Sequence, residues 1–521
     1  PRAYNSDMRI TVHPRQIQAT PADALIVNLF EGVAVPAGAA GAVDTALGSV
    51  DGVPGAGAIS RLLALGDFKG KLNELAVLYT HGLIPAARVI LVGLGKPADI
   101  NAERVRQASG SAVRKAASLG CKVVATVTHG SGSGGLDARV AAQATVEGAI
   151  LGAYQHLEQK SKPDPREIET LLVLESDASR FPEARDGAHD GEIIGNAQNA
   201  ARTLVNRPPN VMYPAAFADH CVAMAKKRGL KATVLGQAEL EANKMGGILA
   251  VNKGSRNAPR FVVLEHAPRG TAKQAPLVLV GKGVCFDTGG YSIKTADGMV
   301  SMKGDMSGAA AVAGAMQAIA ELKLPRRVIG LMPLVENRIN EEAFLPSDVL
   351  TMMNGMTVEI ISTDAEGRLI LADALHYAKR YNPSGVVDIA TLTGVASLAM
   401  GDCMAATVHT NTETWGRQVI DAGAQVGERI WPMPLWPEYG ESMKSDTADF
   451  KNSAGNRYSG LGVSGWFLQQ FTLDEKGGPA YPWAHIDMAP MDFNNSTSGY
   501  SPKGASGYGV RAFVALAAGA A

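Results

Sequence analysis

Apolar positions in this chain fall into short continuous runs, separated by longer segments of helical period. The runs Ala24–Phe30 and Arg88–Leu94 predict strands, and Gly57–Leu65, after a glycine-rich loop between them, predicts a helix. A helix over Ala102–Leu119, a strand over Lys122–Thr128, a helix over Asp137–Leu157 and a strand over Ile168–Leu174 follow. This alternation predicts a parallel sheet with crossover helices. A helix over Gly191–Val205, capped by Asp190, runs into Asn206-Arg-Pro-Pro-Asn210, where paired prolines cannot continue it. The domain boundary is therefore placed here: residues 1–190 form a smaller N-terminal α/β domain, 191–210 a linking helix and proline-rich junction, and 211–521 a larger C-terminal α/β domain.

Past the junction the alternation restarts. Helices are expected over Pro214–Lys227, Ser307–Leu322 and Gly367–Arg380, and strands over Lys231–Leu235, Arg260–Glu265, Pro276–Val280, Arg327–Val335 and Val358–Ser362. The fold class is thus α/β in both domains, the second with a central mixed sheet flanked by helices. One stretch, Val278–Ala311, reads as a buried strand, a charged glycine-rich loop and a helix. It gathers Lys282, Asp287, Lys294 and Asp305 just past a strand, where open α/β sheets build their sites.

Composition narrows the class without choosing a function. With 521 residues, 46% of them hydrophobic and 19% charged, the chain suits a compact two-domain α/β protein rather than a disordered or fibrous one. The balance of 49 basic against 50 acidic residues gives no general field toward nucleic acid or an anionic membrane. Cys121, Cys221, Cys285 and Cys403 lie far apart with no CxxC pair, which suits a reducing compartment. Pro1–Gln18 has no apolar signal core, and no uncharged apolar run reaches the roughly 18 residues of a spanning helix. The start at Pro1 has the look of a trimmed chain, consistent with a removed leader.

A second charged cluster, Thr363-Asp-Ala-Glu-Gly-Arg368, stands between a strand and a helix. Taken singly these residues read as caps: Thr363 with Glu366 has the form of a capping box, and Asp305 suits a helix start. Taken together, Asp287, Asp305, Asp364 and Glu366 are expected at strand ends or strand-to-helix turns of one sheet. Converging carboxylates need neutralising, and two divalent cations would do it. Oxygen ligands alone do not select the metal. A neutral Lys282 amine would add a nitrogen donor favouring zinc, cobalt or manganese; the alternative for Lys282 is an ion pair with Asp287.

Competing motifs fail. No HExxH occurs, and the ten histidines, His376 and His485 among them, are scattered as structural residues would be. Gly93-Leu-Gly95 is followed by Lys-Pro where a dinucleotide fingerprint needs its third glycine and helix. Ile293 stands where a phosphate loop needs glycine. There is no GxSxG elbow, and Cys285 reads as core.

The segments Val280–Lys294 (VGKGVCFDTGGYSIK), Met302-Lys-Gly-Asp-Met306 and Thr363–Leu369 (TDAEGRL) resemble the leucine aminopeptidase family of two-metal peptidases. Asn206–Asn210 is similar to that family's interdomain junction, and Ala390–Gly394 (ATLTG) and Trp483–Asp487 (WAHID) to its later motifs, so the resemblance runs from about Asn206 to the end. It implies a metal-dependent aminopeptidase that removes N-terminal residues, leucine or other apolar ones preferred, from peptides with a free N-terminus. By this resemblance Lys282, Asp287, Asp305, Asp364 and Glu366 hold two divalent metals, zinc first, with manganese or cobalt as alternatives, and Asp287 and Glu366 bridge both. Lys294 and Arg368 are the implied catalytic residues, Lys294 for the oxyanion and Arg368 for a bicarbonate that takes the water's proton. Met302, Thr391, Leu392, Gly394 and Ala489 match positions around the substrate's first residue. Two departures are visible: Ser362 where asparagine is usual, and Pro490 where glycine is common. The resemblance also implies a cytoplasmic homohexamer, with the N-terminal domain serving assembly. Rival readings are a nucleic-acid-binding or scaffold role, against which the near-neutral composition weighs, and a two-metal phosphoesterase, against which Lys282 weighs.

Overall fold

A computed structural model describes residues 8–48, 57–456 and 458–519. Residues 1–7, the start of the segment read as lacking a signal core, and residues 49–56 of the glycine-rich loop lie outside them. The chain forms two compact units: residues up to Asn199 with Asn495–Lys503, and Ala200–Asn494 with Gly504 onward.

The first unit carries strands β1 (Arg9–His13), β2 (Ala24–Leu29), β3 (Leu75–Tyr79), β4 (Arg88–Gly93), β5 (Val123–Val127) and β6 (Thr170–Leu174) in one sheet of order β1-β6-β5-β2-β4-β3. All neighbours run parallel except the edge pair β3–β4. The central strands β2 and β4 are almost wholly buried, as strands covered on both faces are. The helix expected from Gly191 begins instead at Phe181 and runs unbroken to Asn206. Asp190 is therefore no cap; its carboxylate pairs with Arg139 at 2.6 Å. The division between the units, between Asn199 and Ala200, falls inside this helix and within the 191–210 segment.

The second unit is built on a nine-stranded mixed sheet. Its strands are β7 (Lys231–Leu235), β8 (Arg260–His266), β9 (Leu277–Gly281), β10 (Gly283–Asp287), β11 (Val328–Asn337), β14 (Gly385–Ala390), β15 (Ala406–Thr410), β16 (Ile430–Pro432) and β18 (Trp483–Asp487). Their order is β16-β15-β18-β14-β9-β11-β8-β7, with β10 also on β11. β9, β11, β14 and β18 run parallel at the centre, and β7, β8 and β15 bring antiparallel pairs. A separate small sheet holds β12 (Val349–Thr351), β13 (Thr357–Glu359) and β17 (Phe450–Lys451). The strand expected over Val358–Ser362 is thus β13, outside the main sheet, so Asp364 and Glu366 reach the site from a second sheet.

Two features set where the chemistry sits. β11 spans ten residues and pairs in turn with β9 and β10, leaving Lys282 at the break between them. The register places Lys282 opposite Pro333, which has no N–H for the ladder. The Lys282 carbonyl accepts instead from the Ala309 N–H of the helix Ser307–Glu321, at 2.8 Å. That alanine-rich helix is buried almost all round and lies hard against the strands: a Cβ on Gly308 would sit 2.2 Å from the Ile389 carbonyl oxygen.

The helix Gly367–Ala378 is fixed through buried Asp373. Its carboxylate accepts from the N–H groups of Ile248 and Met353, each at 3.0 Å, tying in the helix Gly246–Asn252 and the β12–β13 turn. Burial pushes this carboxyl up to about 7, against the lowering effect of the backbone N–H groups. Replacing Asp373 by Ala leaves one buried and one part-buried donor unmet and is expected to cost about 2 kcal/mol in denaturant unfolding. A folded-state pKa above the unfolded value means a contribution present below about pH 4 and lost as pH rises toward 7. The stability advantage of the wild type over Asp373→Asn should accordingly shrink over that interval; an advantage that grows with pH would contradict this account.

Candidate metal centre

The two charged clusters meet. Lys282 Nζ lies 2.8 Å from Asp305 Oδ1, 3.0 Å from Glu366 Oε1 and 2.9 Å from the Thr391 carbonyl oxygen. Lys294 Nζ lies 2.8 Å from Asp287 Oδ2 and 2.5 Å from Asp364 Oδ1. The ion pair considered between Lys282 and Asp287 is not the one formed: Lys294 takes Asp287. Oxygens of Asp287, Asp364 and Glu366 all fall within 4.8 Å of one another. Thr363 does not form the capping box; its hydroxyl donates to the Gly289 carbonyl at 2.6 Å and accepts from the Ser292 N–H at 2.8 Å, sewing the loop after β10 to the second cluster. Glu366 is itself the residue before the helix Gly367–Ala378, and Asp305 turns its side chain to Lys282 and Thr391 rather than to a helix end.

Arg368 is buried beside this group. It donates to the Asn452 carbonyl at 2.8 Å and to the Ser464 hydroxyl at 2.7 Å, while its Nε is buried with no partner among the described residues. Burial lowers its pKa to about 10, so it stays cationic at neutral pH. The Thr391 hydroxyl donates to Asp305 at 2.8 Å. Asp487, at the end of β18, accepts from the Leu392 and Ala489 N–H groups, both at 3.2 Å, and from the Thr393 hydroxyl at 2.7 Å. It thereby joins the loop after β14 to the turn at Ala489, and the short helix beginning at Gly394 packs on that turn. Met302 opens the 3-10 turn that leads to Asp305.

Residues 199–514 match the model of the cytosol aminopeptidase family catalytic domain, and residues 26–163 match that of the family's N-terminal domain. The chain belongs to the cytosol aminopeptidase family. It is 41% identical over 509 residues to a probable cytosol aminopeptidase of Geobacter sulfurreducens, covering 97% of this chain and 98% of the relative. A second such relative, from Geotalea uraniireducens, is 42% identical over 462 residues, 88% and 90% of the two chains. Among solved structures, the bottromycin maturation enzyme BotP in complex with Mn is similar with a TM-score of 0.83 at 31% identity, over 96% of this chain and 99% of that one. Membership makes this protein a hydrolase, a metal-dependent exopeptidase of the leucyl aminopeptidase type. No helix among the described residues is long and apolar enough to cross a membrane.

The donor set fits divalent cations. Asp305 Oδ2 and Glu366 Oε2 are buried with no hydrogen-bond partner among the described residues, an arrangement that costs free energy unless a cation meets them. Four carboxylates, three of them buried, against two ammoniums leave two negative charges over. Burial raises the Asp305 and Asp364 carboxyls and brings Glu366 to about 6, and neighbouring carboxylates add to each rise. For both lysines burial pulls the pKa down, but the surrounding carboxylates outweigh it and leave the ammonium favoured. Without metal, then, Lys282 is charged; serving as a nitrogen donor would require its proton to leave.

Several residues here escaped sequence reading. Asn337, ending β11, donates to Asp287 Oδ1 at 2.9 Å and to the Thr363 carbonyl at 3.0 Å, so one amide spans both clusters. Asn452 holds the segment before Asp364 by accepting from the Ile361 N–H and donating to the Ser362 carbonyl. The polar pair Glu336-Asn337 closing an apolar run was a usable signal for the first; nothing local marked the second. Gly367 is required by contact: a Cβ there would lie 2.5 Å from Lys282 Cε and Nζ. Gly367→Ala should therefore displace Lys282 and lower kcat/KM at least about a hundredfold with the circular dichroism spectrum unchanged. Retained activity would show that the ammonium's position is not critical.

Proposed function

We propose that this protein removes the N-terminal residue, leucine or another apolar residue by preference, from peptides with a free N-terminus, using two divalent cations. The observation that carries this is the carboxylate cluster in which two buried oxygens lack partners among the described residues. Lys282, Asp287, Asp305, Asp364 and Glu366 would hold the cations, Asp287 and Glu366 shared between them. Bound there, they would supply Lewis acidity and a water activated at neutral pH. Zinc leads the candidates, with manganese, supported by the similar manganese-bound BotP, and cobalt beside it.

Lys294 keeps its proton and sets a positive charge where the substrate's carbonyl oxygen becomes negative. Its side chain is 19% exposed against 4% for Lys282, so it can exchange carboxylate partners for substrate with less desolvation. Arg368 is held from two sides and has Nε to offer an anion, which supports a role in holding bicarbonate as the acceptor for the attacking water's proton. Met302, Thr391, Leu392, Gly394 and Ala489 would receive the first residue, in a wall fastened by Asp487. Residues 1–190 would serve assembly into a homohexamer, joined through 191–210 to the catalytic part at 211–521, with the cytoplasm as the working compartment.

Chelator treatment to verified metal loss should abolish hydrolysis of leucine anilides, and zinc, manganese or cobalt should restore it to different extents. Full activity in the stripped protein would sink the proposal. Arg368→Ala should keep both metals by elemental analysis while kcat drops about a hundredfold or more. Asp305→Ala should lose metal and activity together.

A further inference from the structure

Behind the carboxylate cluster the second unit has a cavity of about 530 Å³, within the range of small-molecule sites. Side chains alternate faces along a strand, so Asn337 turns toward Asp287 while Glu336 and Arg338 turn the other way, into this cavity. Phe286 likewise faces away from the site its neighbour Asp287 serves. Neither the peptidase reading nor the family resemblance uses the space.

Its chemistry is two-signed. Glu336 lies at the base with its side chain 2% exposed. Its Oε2 accepts from the Ser255 hydroxyl and, at 2.9 Å, from the Asn257 amide, whereas Oε1 accepts no hydrogen bond among the described residues. At the rim Arg338 comes no nearer to Glu336 than 3.7 Å, too far for a hydrogen bond, and Arg256 has no protein partner among the described residues. A carboxylate oxygen at the base calls for a cationic donor. Two guanidiniums with unspent donors at the mouth call for an anion. Phe286 and Tyr213 supply apolar wall between them. A lone inorganic anion would satisfy the rim and leave Glu336 as it is; a lone cation would do the reverse.

We infer that this cavity binds a free α-amino acid, its ammonium on Glu336 and its carboxylate between Arg256 and Arg338. The binding stands on the cavity alone; that its occupant is also a reaction product rests on the peptidase reading. Occupancy bears on the metal centre through β11, because Asn337, between the two cavity residues, holds both Asp287 and the Thr363 carbonyl.

The test is a calorimetric titration of the metal-loaded protein with its catalytic site saturated by leucine hydroxamate, which chelates metal but lacks the carboxylate the cavity requires. L-Leucine should still bind, one per chain, and L-leucinamide and N-acetyl-L-leucine should bind at least about tenfold more weakly. The exposed pair of substitutions Arg256→Ala and Arg338→Ala should weaken leucine to a similar extent and leave anilide turnover without added leucine unchanged. Leucine failing to bind under the block would overturn the inference, as would unchanged binding by the double variant. Phosphate or N-acetyl-L-leucine binding as tightly as leucine would mark an anion site only and overturn it too. The comparison of the three leucine derivatives on the wild-type protein does not depend on any variant folding.

Discussion

Four carboxylates, three of them buried, repel one another, and the second unit is arranged around the two lysines that oppose this repulsion. Each ammonium meets two carboxylates, so the cluster is cross-linked rather than merely neutralised. The backbone features nearby serve that arrangement. A proline in β11 faces the break in the ladder where Lys282 sits, and a glycine at 367 makes room for its ammonium. Two left-handed glycines, Gly289 and Gly290, turn the chain after Asp287 so that Lys294 can come back to it. Thr363 then binds that turn to the second cluster.

The two ammoniums offset the four carboxylates only in part, and the two lysines differ in their enclosure. Lys282 is enclosed: Asp305, Glu366 and the Thr391 carbonyl take its three donors, leaving none for a substrate. Lys294 is less enclosed and reaches one carboxylate, Asp364, that is itself 38% exposed. On the proposed reading a cation entering the cluster would compete with both ammoniums for the same oxygens, and the enclosed Lys282 would yield its proton and remain in place as a donor. Lys294, less enclosed, would keep its charge, so the proposed difference in role tracks burial rather than side-chain type.

Legibility in the sequence followed the range of the interactions. Strands such as β2, β4, β7 and β9, and helices such as Pro214–Arg228, were readable because each is one apolar run or one helical period with clear turn residues at its ends. The resemblance rested on contiguous motifs, and the clusters it named do converge. What was not legible depended on distant partners. The helix starting at Phe181 looked ten residues shorter because Gly187 and Gly191 weaken the local pattern, while close packing in the first unit favours them: a Cβ on Gly187 would lie 2.1 Å from the Arg139 carbonyl oxygen. Thr363 and Glu366 had the spacing of a capping box, yet both side chains find long-range partners that a local rule cannot see. β13 was readable as a strand, but not as part of a separate sheet.

That separation has a mechanical consequence. Asp287 is carried by the main sheet, Asp364 and Glu366 by the link from the small sheet to the helix Gly367–Ala378, so the relative position of two sheets sets the spacing of the carboxylates. Four uncharged hydrogen bonds span the gap: Asn337 to the Thr363 carbonyl, the Thr363 hydroxyl to the Gly289 carbonyl, and a reciprocal pair in which the Ser292 N–H donates to the Thr363 hydroxyl and the Thr363 N–H to the Ser292 hydroxyl. Hydrogen bonds of this kind are worth only about 1 kcal/mol each, yet their directions are strict where those of ion pairs are loose. Charge attraction therefore brings the two clusters together, while this small set of neutral hydrogen bonds fixes the distance at which they stop.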